Sequence, residues 1–72
     1  MDKNNELIRL GEVVKKLRLE KGYSQTHLAN IIGKDQPSVN RLEKGRINPS
    51  YIYLLEICEG LEIDINELLS EI

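Results

Sequence analysis

Apolar residues recur along this chain at helical spacing, and no stretch alternates apolar and polar residues as a half-buried strand does. Leu7, Leu10, Val14 and Leu17 fall three, four and three apart, which lines them up on one helix face. Gly22, following Glu20-Lys21, is a natural stop for that helix. Ser24 can cap a second helix, whose buried face is Leu28, Ala29 and Ile32 and whose end is Gly33. Asp35 can cap a third, with Pro37 tolerated in the first turn, Val39 and Leu42 facing inward, and Gly45 closing it. Arg46 to Pro49 reads as a loop. Ser50 caps a fourth helix with Leu54, Ile57, Cys58 and Leu61 inside, and Asp64 caps a short fifth with Leu68 inside. Asp64 and Glu67 stand at capping-box spacing, although that pattern prefers Ser or Thr at the cap. The expectation is an all-α domain of five short helices. Its core must be aliphatic, because Phe and Trp are absent.

The chain of 72 residues has room for one domain. At that size only roughly 60% of the unfolded surface is buried, so an oligomer is a natural way to gain stability. Net charge is −2, which at first sight argues against a polyanionic partner. The distribution reverses that impression. Residues 1–49 hold all ten basic side chains and six acidic ones, a balance of +4; residues 50–72 hold six acidic and no basic ones. Such asymmetry fits a polyanion-facing part and an acidic part turned elsewhere. Ordinary solvated faces would produce it as well.

Cys58 is the only cysteine, which excludes an intramolecular disulfide and suits a reducing compartment. The longest apolar run, Tyr51 to Leu55, is far short of the ~20 residues that span a bilayer. The polar start, Met1 to Glu6, lacks a signal-peptide core. A cytoplasmic protein is expected, with residues 1–5 a flexible tail.

Function concentrates between Gln25 and Leu42. Two helices of about eight residues meet at Gly33, with the small Ala29 four residues earlier and Val39 six residues later. A small residue and a glycine at those places let the helices cross closely at ~90–120°. The second helix then projects polar side chains outward, in the manner by which a helix enters a DNA major groove.

The residues that follow this pattern are Arg18, Lys21-Gly22-Tyr23-Ser24-Gln25, Leu28-Ala29, Gly33, Val39, Leu42-Glu43-Lys44-Gly45, Asn48-Pro49-Ser50, Leu54-Leu55, Ile57, Leu61, Ile63 and Leu68. Together they resemble the Cro/lambda-repressor-like (XRE) helix-turn-helix family over residues ~7 to 69. The resemblance implies a compact five-helix lambda-repressor-like domain with its helix-turn-helix at residues 24–45 and an acidic two-helix tail at 50–72. It implies a sequence-specific regulator of transcription that binds double-stranded DNA, most simply a repressor. The recognition helix would run from Gln36 to Lys44, with Gln36, Pro37 and Arg41 at base edges and Ser38 and Asn40 beside them. Gln can pair with adenine and Arg with guanine, and Pro37 can offer only apolar contact. Ser24, Gln25, Lys44, Arg46 and Asn48 would hold phosphates, helped by backbone N–H groups from Lys44 to Asn48. Gln25 would also brace the recognition helix. Arg18 would pair with Glu43 and approach a phosphate; a solvated surface pair is the plainer alternative.

Departures from the family pattern fall at three positions. Pro37 removes a polar reader. Lys34 replaces a commonly apolar residue and would loosen the turn or touch a phosphate. His27 stands where relatives often have Glu, and reads best as an exposed residue without a special role.

Other chemistry has little support. Cys58 lies on the inner stripe and reads as core. One His and one Cys cannot supply four zinc ligands, and the tail carboxylates lack the spacing of a calcium loop. No enzyme, cofactor, metal or small-molecule ligand is expected. Tyr51, Ile52, Tyr53, Ile65, Leu69 and Ile72 are an apolar excess on two short helices, and either pack under the first helix or form a homodimer surface. A dimer would present two recognition helices ~34–36 Å apart to a palindromic site. The rival reading is an interaction module of the same fold, such as an antitoxin or helical adaptor, working through residues 50–72.

Overall fold

The computed structural model describes residues 1–72. It contains five helices and no strand: α1 (Lys3–Glu20), α2 (Gln25–Ile32), α3 (Gln36–Glu43), α4 (Tyr51–Leu61) and α5 (Ile65–Glu71). Each begins on a side-chain oxygen that accepts from a free backbone N–H of the first turn. Ser24 accepts from His27, Asp35 from Ser38, Ser50 from Tyr53 and Asp64 from Glu67, at 2.8 to 3.0 Å. The fifth cap, Asp2, accepts from Asn4 at 2.9 Å and changes the expected start of the chain. Residues 3–5 are the first turn of α1 rather than part of a flexible tail.

Nine side chains make the core: Val14 of α1, Leu28 and Ala29 of α2, Val39 and Leu42 of α3, Ile57, Cys58 and Leu61 of α4, and Leu68 of α5. Leu10, Leu17, Ile32 and Leu54 of the expected stripes are half-buried around them. Helix α1 crosses α3 and α5, while α2 lies against α3 and α4. The end of α5 is clipped along α1 by Lys16 on Glu71 at 2.9 Å and by Arg9 on the carbonyl oxygen of Ile72.

Two glycines inside helices set how closely those helices approach. At Gly11 a methyl group would overlap the carbonyl oxygens of Leu42 and Glu43, so α1 rests on the backbone at the end of α3. At Gly60 it would come within 2.6 Å of the Ile32 side chain, which brings α4 against α2. Gly60 is thereby committed to packing one residue before α4 ends. The left-handed residue that stops the helix is instead Glu62, at φ 59°, a conformation unfavourable for a side-chain-bearing residue.

Candidate nucleic-acid interface

Helix α3 is joined to α2 through Gly33, whose φ of 70° carries the chain out of α2 before Asp35 starts the next helix. Val39 and Leu42 anchor the inner side of α3 in the core. Glu43, also on the inner side, is 6% exposed and meets Arg18, which is 5% exposed. The contact is two-pronged: Nε to Oε2 at 2.7 Å and Nη2 to Oε1 at 3.0 Å. The third nitrogen, Nη1, donates to the Tyr23 carbonyl at 2.7 Å. The pair is therefore internal, and the solvated alternative does not hold. Its burial also corrects the expectation that Arg18 reaches a phosphate, since its donors are turned onto Glu43 and the α1–α2 turn.

Gln25 extends this network outward. Its Nε2 donates to Glu43 Oε1 at 3.0 Å, and its Oε1 accepts from Gln36 Nε2 at 2.7 Å and Asn40 Nδ2 at 3.2 Å. The bracing role expected of Gln25 is thus visible side chain by side chain. Gln36 and Asn40 are half-buried beside it. Each amide group retains hydrogen-bonding capacity for a second partner.

Pro37 and Arg41 are exposed, and so are Lys44, Arg46 and Asn48 just beyond the helix. Arg41, Lys44 and Arg46 enter no ion pair. Three cations are left open around one helix end. The backbone contributes less than expected there: the N–H groups of Lys44, Gly45 and Arg46 close the end of α3, on Asn40, Leu42 and Arg41 respectively. Those of Ile47 and Asn48 remain. Ser24 is exposed, with its hydroxyl engaged as the α2 cap.

Ser38 differs from its expected place beside the base readers. Its hydroxyl lies 2.8 Å from the Tyr53 hydroxyl of α4. Lys34 also faces α4, its Nζ lying 5.1 Å from the centre of the Tyr53 ring and 3.6 Å from Glu56. The turn is therefore tied to α4 by Lys34, not loosened. His27 is exposed and sets its ring edgewise to Tyr23, with centroids 4.6 Å apart.

The expected dimer surface divides. Tyr51, Ile52 and Leu69 are exposed at 64%, 62% and 57%. Tyr53 and Ile65 are partly buried against the core, and Ile72 is half-buried at the end of α5. Leu19 and Ile31 are exposed apolar side chains that the sequence pattern did not single out. Cys58 is buried as expected of a core residue; its thiol is pushed above its ordinary value, first by burial and then by the charges of Asp64 and Glu67.

No helix is long and apolar enough to cross a membrane, and no group of three or more His, Cys, Asp or Glu side chains is placed to hold a metal ion.

Residues 14–68 match the helix-turn-helix family. Control protein C.MunI of Mycoplasma sp. is 40% identical over 70 residues, covering 96% of this chain and 95% of that one. Among solved structures, the restriction-modification controller protein C.AhdI from Aeromonas hydrophila superposes with a TM-score of 0.90 at 34% identity, over 94% of this chain and 99% of its own. The controller protein C.Esp1396I, solved as a tetramer in complex with its natural 35-base-pair operator, matches 90% of this chain and 91% of its own at a TM-score of 0.81 and 32% identity. Its architecture is the lambda-repressor-like one, and the chain belongs to the helix-turn-helix (XRE-type) family of DNA-binding transcriptional regulators.

Proposed function

We propose that this chain is a cytoplasmic, non-enzymatic repressor that binds a palindromic double-stranded DNA site as a homodimer, inserting α3 into the major groove. The observation that carries this reading is the open outer side of α3. Pro37 and Arg41 face away from the protein, and the unpaired cations Arg41, Lys44 and Arg46 surround the end of a helix fixed from beneath. Arg41 reads a guanine edge and Gln36 an adenine edge, with Asn40 beside them and Pro37 against a thymine methyl. Lys44, Arg46 and Asn48 hold one run of phosphates, and the start of α2 at Ser24 and Gln25 holds another. Binding alone blocks transcription. Exposed Tyr51, Ile52 and Leu69 support pairing of two copies.

The controller proteins among the relatives support a narrower reading, in which the regulated genes belong to a restriction–modification system. Selection from random double-stranded DNA at moderate salt tests the whole proposal. Recovery of a palindrome upstream of restriction or modification genes is the expected result. Recovery of no sequence would overturn it in favour of an interaction module working through residues 50–72.

A further inference from the structure

Helix α3 is only eight residues long, and its direction of view is set by side-chain ties on both flanks. At 3.6 residues per turn each residue advances about 100° around the axis. Measured from Gln36, Asn40 lies about 40° round, Pro37 about 100°, Arg41 about 140° and Ser38 about 200°. Val39, Leu42 and Glu43 occupy the buried remainder. One flank, Gln36 and Asn40, is tied to Gln25 of α2. The opposite flank, Ser38, is tied to Tyr53 of α4. Pro37 and Arg41 stand midway between the two. Loss of either tie leaves the other to pull the helix to one side about its core anchors, and the outward side chains turn with it.

From this we infer that Tyr53 is a positioning residue for DNA reading: its hydroxyl, held on Ser38, fixes the angle at which α3 presents Pro37 and Arg41 to base edges. The tie is braced from behind. Lys34 stands over the Tyr53 ring and pairs with Glu56 one turn further along α4, so a cation anchored on α4 itself covers the ring that carries the hydroxyl. Ser38 is thereby committed to orientation rather than to a base. The phenolic oxygen is the working atom, because the ring alone would pack equally well as Phe.

This inference rests on the reading of α3 as the recognition helix, and the test separates the two. Binding to the DNA selected from the random pool is compared with binding to single-base-pair variants of it, for the wild type, Tyr53→Phe, Ser38→Ala and the double variant. A net hydrogen bond corresponds to roughly two- to tenfold in an equilibrium constant. Tyr53→Phe is expected to lower discrimination at base pairs facing Pro37 and Arg41 by about threefold to tenfold. Its affinity for unrelated DNA, its salt dependence and its sedimentation should stay at wild-type values. Ser38→Ala should do the same, and the double variant should lose no more than either single one. Equal weakening on every sequence, or additive losses, would overturn the positioning role, as would unchanged discrimination. A wild type that discriminates no sequence would bring down the reading of α3 itself, and this inference with it.

Discussion

Arg18 and Glu43, twenty-five residues apart, meet through two hydrogen bonds and are both sealed from solvent. Breaking one side of such a pair leaves the other charge buried without compensation, at a cost of about 3–5 kcal/mol. Arg18→Ala should lower unfolding stability by that amount in urea melts. Glu43→Ala should be at least as damaging, because Gln25 loses its acceptor too. The double variant should recover part of the loss. A cost for Arg18→Ala within ~0.5 kcal/mol would place the pair among ordinary surface contacts.

Gly11 offers a test in which the sign alone decides. In the middle of an unobstructed helix, replacing Gly by Ala gains about 0.5–1 kcal/mol. Here the added methyl meets the backbone of Leu42 and Glu43, which cannot swing aside as a side chain can. Gly11→Ala should destabilise the protein by about 1–3 kcal/mol, and because the displaced element is the end of α3, DNA binding should weaken with it. A higher melting temperature would show that α1 and α3 stand further apart.

The helices themselves were largely legible in the chain, since a capping Ser or Asp followed by an apolar stripe is a local signal. Ser24, Asp35, Ser50 and Asp64 all cap as read. Asp2 escaped because the apolar stripe starts only at Leu7, which leaves the first turn without a pattern of its own. Gly11 and Gly60 escaped for a deeper reason: a helical glycine carries no sign of a backbone or side chain some thirty residues away. Within the site, the family pattern located α3 and the brace from Gln25. It assigned Ser38 and Arg18 to DNA because it recorded where polar residues stand, and it carried no sign that Ser38 meets Tyr53 or that Arg18 donates to the Tyr23 carbonyl. Tyr53 reads in sequence only as packing under α1 or lining a dimer surface, since the tertiary fold alone brings α4 to Ser38.

Cys58 makes stability depend on pH in a defined direction. Its thiol titrates above its ordinary value of 9.0 in the folded protein, so the unfolded chain gives up the proton first. The stabilisation is complete below the ordinary thiol pKa and is lost as pH rises from there through the raised folded value, with a slope of at most about 1.4 kcal/mol per pH unit. Lys16, raised chiefly by its hydrogen bond to Glu71, pushes in the same direction only at still higher pH. Urea melts of the wild type between pH 7.5 and about 9.5 should show the decline, and Cys58→Ala should flatten it. An unchanged slope in that variant would assign the effect to another group.

Arg41 and Arg46 are both exposed and unpaired, yet they should fail differently. Arg41→Ala should cost about 1–3 kcal/mol on the selected site and relax preference at one base pair. Arg46→Ala should weaken all sequences alike and reduce the salt slope by about one. Titrations at several salt concentrations separate the two. Uniform weakening by Arg41→Ala would move that residue from bases to phosphates.

The amide chain through Gln25 has a thermodynamic consequence. Gln36 and Asn40 are already held in one arrangement before any ligand arrives. Immobilising a flexible side chain at an interface costs about 0.5–1.5 kcal/mol, and for these two most of that entropy is surrendered when the protein folds. Affinity gained in this way comes from freedom given up in advance, not from added contacts. Gln25→Ala leaves every direct contact of Gln36 and Asn40 available, so beyond the loss of its own phosphate contact the variant should bind with a less favourable entropy, read by calorimetry.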